Sequence, residues 1–199
     1  MTGFEPFGGE EINPSLEAMK KLDGYQYKDY KVVGLEVPTV YNESMDIIKE
    51  KISSVEPKAV ISVGQAGGRN RISVERIGIN VDHTKQEDNE GNKPKNRPID
   101  ENGKDGYFST LPIQKITDNL KEDKIPAKIS NSAGTYICNH IMYGLLNHIE
   151  KNSLDIKSGF IHVPYLPEQV LDKNKPSMSM GMITEAVKIA VQTTIDNLD

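Results

Sequence analysis

The sequence predicts an α/β protein, a three-layer αβα sandwich with helices on both faces of a largely parallel central sheet. Two observations lead to this fold class. Short runs rich in valine and isoleucine alternate with longer segments whose apolar residues recur at helical spacing. The run at 58–64, KAVISVG, is almost continuously apolar, which is typical of a strand covered on both faces. A length of 199 residues suits one domain, and we expect residues 1–199 to form it.

Capping residues and apolar spacing place the individual elements. Asn13 followed by Pro14 predicts a helix start, because asparagine caps free N–H groups and proline fits the first turn. Residues 30–38 predict a strand, and residues 42–55 predict a helix with apolar side chains three and four apart. Beyond the buried strand, the same criteria predict a strand at 127–132, a helix at 137–151, a strand at 158–164 and a helix at 180–198.

Residues 80–111 do not fit this alternation. The segment is polar, rich in glycine, proline, asparagine and aspartate, and has little periodicity. A structureless loop of this length is uncommon inside a domain and often forms a lid or a binding loop. We therefore expect a long polar loop inserted into the domain, either functional or a mobile surface segment.

Composition excludes several classes of function. With a net charge of -5 and a pI near 5.5, we expect no nucleic-acid partner and no anionic membrane surface. Mean hydropathy is -0.52, and no apolar run approaches the roughly 18 residues of a membrane span. No basic and then apolar stretch opens the sequence, so export is not expected. Without an HExxH pattern or paired histidines, we expect no metal.

Cys138 is the lone cysteine, and such a residue is either a small buried hydrophobe or a nucleophile. It follows the predicted strand 127–132, near a predicted helix start, where the helix dipole and free N–H groups favour the thiolate. His162 lies near the carboxyl end of the predicted strand 158–164, where functional groups of parallel sheets gather. The two side chains are expected to meet if their strands are neighbours. A structural His162 bonded to backbone is the alternative.

A Cys–His pair needs a third group that holds the imidazole in its useful tautomer. Glu75 is one candidate, and the pattern alone does not separate it from Asp82 or Glu168. The competing interpretation of Glu75 is a surface charge pair with its neighbour Arg76. The third member therefore stays open on the residues alone.

The segment at 63–70, VGQAGGRN, ends the buried strand in a glycine-rich turn, where backbone N–H groups can approach a ligand. Phosphate is one such ligand, but the GxxxxGK[ST] and GxGxxG patterns are absent. Gln65 offers both a donor and an acceptor, which suits recognition of a cyclic amide.

Five segments in this order resemble the pyrrolidone-carboxyl peptidase family, also called pyroglutamyl peptidase I. They are TGFEPFGGEEINPS (2–15), VGQAGGRN (63–70), SVERIGIN (73–80), SNSAGTYICNH (130–140) and GFIHVPYLPEQ (159–169). The resemblance extends from Thr2 almost to the C-terminus. It implies an αβα sandwich and a cytoplasmic cysteine peptidase that removes N-terminal pyroglutamyl residues from peptides and amides. It also implies a homotetramer and no metal or organic cofactor.

The resemblance further implies roles for individual residues. Cys138 would be the nucleophile, His162 the general base and then acid, and Glu75 the group that orients His162. The positions that it places around the pyroglutamyl ring are Phe4 and Phe7 as aromatic walls, Gln65 as the partner of the lactam, and Asn13, Tyr136 and Ile137 as further pocket residues. We expect the oxyanion to take the backbone N–H of Cys138.

Three features depart from the family pattern. Members usually carry several apolar residues before the TGF motif, so we expect a shortened first strand. Lys85 replaces an arginine near the active site and Gln86 an apolar pocket residue, and lysine lacks the planar fork of arginine. Val74 replaces the usual proline before Glu75.

Two other functions compete with a peptidase. A nucleoside-phosphorylase-like enzyme has a broadly similar sandwich and would hold phosphate in the glycine-rich turn, with no role for Cys138. A non-catalytic binding protein would keep the pocket without turnover.

Overall fold

A six-stranded sheet forms the middle layer of the fold in the computed structural model, which describes residues 1–198. In chain order the strands are β1 (Thr2–Phe4), β2 (Gln26–Tyr27), β3 (Tyr30–Lys31), β4 (Leu35–Val37), β5 (Ala59–Gln65), β6 (Ile72–Glu75), β7 (Ile77–Ile79), β8 (Gly106–Phe108), β9 (Ala127–Ser130) and β10 (Lys157–Val163). The sheet has the order β4-β1-β5-β10-β6-β9, while β2 pairs with β3, and β7 with β8, in separate antiparallel ribbons. Neighbours from β4 to β10 are parallel, β10 meets β6 antiparallel, and β9 runs with β6. The predicted largely parallel sheet is confirmed, with two reversed strands at one edge.

Helices cover both faces of the sheet. Those of the described residues are α1 (Pro14–Leu22), α2 (Glu43–Val55), α3 (Ile113–Glu122), α4 (Ile137–Lys151) and α5 (Met180–Ile195), and a short 3-10 helix, Pro167–Val170, follows β10. One face packs against α1, α3 and α5 through buried side chains such as Ala18, Ile116 and Val187. The other face packs against α2 and α4 through Ile48 and Leu145. This arrangement confirms the predicted αβα sandwich.

The strand predicted at 30–38 is interrupted. Tyr30–Lys31 turns back onto β2 as a hairpin, and only Leu35–Val37 joins the central sheet. The interruption lies at Gly34, whose N–H donates to the carboxylate of Asp23 at 2.7 Å. A side chain from outside the sheet thus takes a backbone group that a longer strand would need. Neither α3 nor the reversed strand β6 was among the predicted elements.

Residues 80–111 are more ordered than predicted. Strand β8 pairs with β7, and Asp82 forms a bridge with Arg97. The side chain of Asn80 bonds the backbone at 99–100, and the carboxylate of Asp88 accepts from three backbone N–H groups. Because side-chain-to-backbone bonds, several of them to distant segments, replace an apolar stripe here, hydrophobic periodicity does not reveal this order.

Strand β1 lies between β4 and β5 in the sheet. It pairs with β4 over three positions but with β5 only between Thr2 and Ser62. A cavity of about 280 Å³ lies beside its first residue, lined mainly by apolar side chains of β4, β5, α2 and α5. The last residue of β1, Phe4, is nevertheless buried in the core between the sheet and α4.

Candidate active site

Glu75 and His162 form a buried pair across the junction of β6 and β10. His162 is in register with Ser73, so Glu75 lies two residues further along β6 on the same face of the sheet. The Nδ1 atom of His162 lies 2.7 Å from Oε1 of Glu75, and solvent reaches neither side chain to more than a few per cent. Because Glu75 occupies Nδ1, the Nε2 atom of His162 remains available for proton transfer.

The other candidates for the third group lie elsewhere. Arg76 does not pair with Glu75, and its Nε donates instead to an asparagine side chain at 2.8 Å. Asp82 pairs with His140, and Glu168 is exposed on the 3-10 helix. Glu75 is therefore the carboxylate beside His162, and its interpretation as half of a surface charge pair is wrong.

Arg69 contacts this pair, although no pattern in the sequence predicts a role for it. Its Nη1 lies 2.5 Å from Oε1 of Glu75, while Nη2 donates to the backbone oxygen of Ser132 at 3.2 Å. The residue belongs to the glycine-rich turn after β5, which brings it across the sheet edge to β6. Its only sequence signal was a charged residue directly after two glycines in a segment already considered for ligand binding.

The Cys138 thiol lies over the strand next to His162. Gly64 of β5 is in register with His162 of β10. A Cβ atom on Gly64 would stand 3.0 Å from the Cys138 Sγ and 2.7 Å from the Phe160 ring, so glycine is required for the thiol to approach the sheet. Cys138 and His162 therefore lie at neighbouring strands of the sheet, β5 and β10, although β9 and β10 are neither neighbours nor parallel. The start of α4, rather than a shared strand edge, brings the thiol to β5.

Burial sets the protonation states of the three groups. Burial, and then the negative charge of Glu75, raises the pKa of the Cys138 thiol to about 12, although Arg69 opposes this shift. Burial also lowers the pKa of His162 below its usual value, while Glu75 raises it and Arg69 lowers it. For Glu75, burial opposes ionisation, but His162 and Arg69 outweigh it, so its pKa is lowered. Burial thus favours the neutral thiol and the neutral imidazole, and it opposes the thiolate that the helix start is expected to favour.

The first turn of α4 presents free backbone donors at the thiol. Helix α4 begins at Ile137, and the first amides that bond back to the Tyr136 carbonyl are those of Asn139 and His140. Within residues 1–198, no backbone carbonyl accepts from the N–H of Ile137 or Cys138. Unpaired N–H groups at a helix start are suited to a developing negative charge.

The predicted aromatic walls differ in exposure. Phe7 is half-buried, and its ring lies 6.3 Å from that of Tyr136, centroid to centroid. Phe4 is 3% exposed and packs against Phe160 at 6.1 Å. Ile137 is buried in the same core. The structure therefore leaves Phe7 and Tyr136 accessible to a ligand, whereas Phe4 and Ile137 are buried in the core.

Asn13 and Gln65, the two predicted amides, have different surroundings. The Asn13 side chain caps α1 by accepting from the Ser15 N–H, and its nitrogen donates to the Glu5 carbonyl. Asn13 is 1% exposed, so both ends of its amide are used inside the protein. Gln65 is buried at the end of β5, where its oxygen accepts from Gln169 of the 3-10 helix at 2.9 Å.

Residues 83–92 cover the start of α4. The Tyr136 hydroxyl donates to the Glu87 carbonyl at 3.0 Å, and Thr135 exchanges two hydrogen bonds with His83. The Gln86 side chain lies over the turn after β1, close enough that a Cβ on Gly8 would clash with its amide. Lys85, the other departure, is exposed. This part of the polar insertion is therefore a wall beside Phe7 and Tyr136 rather than a free surface loop.

The glycine-rich turn offers no open phosphate cradle at Gly67, because the Tyr165 ring fills the space where a Cβ would stand. Among residues 1–198, no three histidine, cysteine, aspartate or glutamate side chains are placed to hold a metal ion. Over the same residues, no helix combines the length and apolar content needed to cross a bilayer.

Comparison with known proteins adds the family. The model of peptidase family C15, described as pyroglutamyl peptidase, matches residues 1–197. The chain belongs to the pyroglutamyl peptidase family. This confirms the resemblance drawn from the five sequence segments and makes the chain a cysteine-type hydrolase. The nucleoside-phosphorylase alternative is therefore wrong.

Relatives match along nearly their whole length. A pyrrolidone-carboxylate peptidase of Caldanaerobacter subterraneus subsp. tengcongensis is 51% identical over 196 residues, covering 98% of this chain and 95% of that protein. The crystal structure of pyroglutamyl peptidase I from Bacillus amyloliquefaciens superposes with a TM-score of 0.97 at 45% identity, covering 100% of this chain and 94% of that one. A mutant pyrrolidone carboxyl peptidase from Pyrococcus furiosus gives the same score and identity, covering 98% of its own chain. The family's fold is thus the fold seen here.

Proposed function

We propose that this pyroglutamyl peptidase removes an N-terminal pyroglutamyl residue from peptides and amides through an acyl-enzyme on Cys138, with His162 as the proton carrier and Glu75 as its orienting group. The observation that carries this proposal is the buried His162–Glu75 pair beside a thiol at a helix start. Family membership supplies the class of bond that is cleaved.

The first step starts from the neutral pair. The Sγ of Cys138 attacks the carbonyl carbon of the pyroglutamyl residue while its proton passes to Nε2 of His162. Glu75 stabilises the imidazolium that forms and keeps the ring in the tautomer with Nε2 free. The negative charge moves to the carbonyl oxygen, which accepts from the N–H groups of Cys138 and Ile137. In this scheme, proton transfer and attack belong to the same step.

The remaining steps return the proton. The tetrahedral intermediate collapses, the C–N bond breaks, and the leaving amine takes the proton from Nε2 of His162. Water then gives a proton to Nε2 and adds to the thioester carbon. When this second intermediate collapses, the sulfur leaves and recovers the proton, and pyroglutamate is released.

The pocket suits a flat, neutral ring. Phe7 and Tyr136 offer aromatic surface, and Gln65 offers a polar group at the end of β5. Pyroglutamate has no free amine, so no buried charge has to be matched. A ligand that leaves Gln65 without its partner should bind more weakly by about 1–3 kcal/mol, which favours pyroglutamyl over prolyl substrates. Phe4, Ile137 and Asn13 support this pocket through packing and the α1 cap.

Two further features of the proposal concern the setting of the enzyme. The Cys138 sulfur has to remain a thiol, which a reducing cytoplasm maintains. Apolar side chains on the surface, Phe108 at 67% and Leu171 at 81% exposed, suit contacts between subunits, and we propose a homotetramer. Sedimentation at micromolar concentration tests this, and an active monomer would contradict it.

The deciding experiment is hydrolysis of a chromogenic pyroglutamyl amide, with the corresponding prolyl amide as the matched control. We expect turnover of the pyroglutamyl compound alone, its loss after iodoacetamide, and transient acylation of Cys138 detectable by mass spectrometry. Turnover that survives complete alkylation would rule out Cys138 as the nucleophile. Binding of pyroglutamate without turnover would contradict the proposed reaction.

A further inference from the structure

Gln169 is the least expected polar residue near the pocket, because it is only 7% exposed and yet carries an amide. It lies on the 3-10 helix after β10, and its side chain contacts four partners. Its oxygen accepts from the Leu166 N–H at 2.9 Å, and its nitrogen donates to the Ile12 carbonyl at 3.1 Å. The same nitrogen lies 3.2 Å from a carboxylate oxygen of Glu10 and 2.9 Å from the amide oxygen of Gln65.

Backbone groups fix which end of the Gln169 amide is which. A backbone N–H can only donate, so the atom facing Leu166 is an oxygen. A backbone carbonyl can only accept, so the atom facing Ile12 is the nitrogen. The two observations agree, and they settle an assignment that amide geometry alone leaves open. Since the Gln169 nitrogen faces Gln65 at 2.9 Å, the Gln65 atom that meets it must be the oxygen.

The consequence falls on Gln65. Its oxygen is held by Gln169, so its nitrogen points away from that contact. Within residues 1–198, the Gln65 nitrogen makes no hydrogen bond and is not sealed from solvent. Gln65 therefore offers a ligand two N–H donors, while Gln169 already occupies one acceptor position of its oxygen. Such a group complements the ring carbonyl of a lactam better than its N–H.

We propose that Gln169 is a positioning residue for substrate recognition. It orients Gln65 so that an N–H of the Gln65 amide donates a hydrogen bond to the ring carbonyl of the pyroglutamyl group. This inference rests on the proposed function and deepens it. Without Gln169, the Gln65 amide group can flip, and its oxygen would then face the lactam carbonyl, which is also an acceptor. The role is one of specificity, because Gln169 does not touch the reacting atoms.

The test replaces the N–H donor of Gln169 with an acceptor and keeps the shape of the side chain. In Gln169→Glu, one carboxylate oxygen still accepts from Leu166, while the other repels the Gln65 oxygen and favours the turned amide. The probe is 2-pyrrolidone, the bare lactam ring, assayed as a competitive inhibitor of pyroglutamyl amide hydrolysis. We expect its inhibition constant and the substrate KM to rise roughly ten- to a hundredfold, with kcat changed less than about threefold.

Matched variants separate positioning from folding. Glu10→Gln alters another partner of Gln169 without touching Gln65 and should leave the inhibition constant unchanged. In a Gln65→Leu background, where KM is already raised, Gln169→Glu should change the inhibition constant less than about twofold. Gln169→Met, which has no charge to repel Glu10, should give a smaller KM increase. Thermal melting of each variant reports its folding independently.

Two outcomes would overturn the inference. One is an equal effect of Gln169→Glu in the wild-type and Gln65→Leu backgrounds, which would mean that Gln169 acts without Gln65. The other is an unchanged inhibition constant in a folded Gln169→Glu protein. If the unmodified enzyme fails to hydrolyse the pyroglutamyl amide, the proposed function itself fails. The unmodified enzyme is therefore assayed before any variant.

Discussion

Two buried carboxylate–imidazole pairs, each with an arginine on its carboxylate, occur in this fold. In the first, Glu75 meets His162 at 2.7 Å and Arg69 contacts the carboxylate. In the second, Asp82 meets Nδ1 of His140 at 3.0 and 3.1 Å, and an arginine lies 3.3 Å from the same carboxylate. Both imidazoles are less than a tenth exposed. By sequence or by local geometry, the two pairs are hard to tell apart.

What surrounds the imidazole distinguishes them. His162 lies on a strand whose neighbour, at Gly64, has no side chain, and the Cys138 thiol fills that space. His140 lies on α4, and its ring is perpendicular to that of Tyr41, with 5.3 Å between the two ring centroids. A polar cavity of about 450 Å³ lies beside it. Asp82 belongs to the long insertion, so the second pair fastens that segment to α4. A buried acid–imidazole pair is therefore not itself a catalytic signature, and a nucleophile next to it is required.

The largest effect should come from the one group that has no counterpart in the second pair. Cys138→Ala should lower kcat roughly a thousandfold or more, because attack on the carbonyl needs the sulfur. Its Tm should stay near that of the wild type, since alanine fills a similar space over Gly64. Wild-type turnover by this variant would remove the cysteine peptidase mechanism.

Replacing each of the two histidines with alanine tests the comparison next. His162→Ala should lower kcat/KM by a factor of roughly a thousand, whereas His140→Ala should mainly lower stability, by about 1–3 kcal/mol, because the buried Asp82 loses one of its partners. The measurements are kcat/KM and urea unfolding of both variants. Equal losses of activity at equal stability would make the second pair part of the chemistry.

The carboxylates should differ in pH dependence. Glu75→Gln keeps one hydrogen bond to His162 but removes the charge that raises its pKa, so the pKa falls further. The general base must be neutral, so kcat/KM rises with pH through that pKa, and the acid limb should move to lower pH. The rate on the plateau should drop by a smaller factor than in His162→Ala. Asp82→Asn, the matched variant, should leave the limb in place, and a shifted limb there would contradict the distinction.

The smallest effects should come from the arginines. Arg69 lowers the pKa of His162, so Arg69→Met should move the acid limb of kcat/KM to higher pH, with plateau kcat within about threefold of wild type. Arg97→Met removes the corresponding charge from Asp82 and should leave the limb unchanged. A limb that moves to lower pH in Arg69→Met would reverse the assigned role of this charge.

The sequence predicts the layers of the fold and two members of the site for physical reasons. Cys138 is the lone cysteine at a helix start, and His162 ends a buried strand, so both positions follow from local patterns. Glu75 could not be chosen over Asp82, because the antiparallel pairing of β6 with β10 is a tertiary feature that a four-residue strand does not signal. The opposing effect of burial on the Cys138 thiol could not be predicted from the sequence, because burial depends on the whole core.

Arg69 and Gln169 were missed for a related reason. Both act on side chains that are distant along the chain or on another element, and neither belongs to a periodic pattern. Their roles depend on which atom of a partner they hold, which only the assembled sheet and turns decide. The order of the insertion at 80–111 was missed for another reason, since it is built from asparagine and aspartate side chains rather than an apolar stripe.

The antiparallel junction of β6 and β10 makes enzymatic activity depend on the register of these two strands. It is defined by only two registered positions, Ile161 with Val74 and His162 with Ser73. A slip by one residue would turn Glu75 to the opposite face of the sheet, away from the imidazole and into the apolar layer beneath α3 and α5. Such a chain could keep its helices and much of its core and yet be inactive. Regain of turnover after denaturation therefore measures the fraction of chains in the correct register, which circular dichroism cannot distinguish.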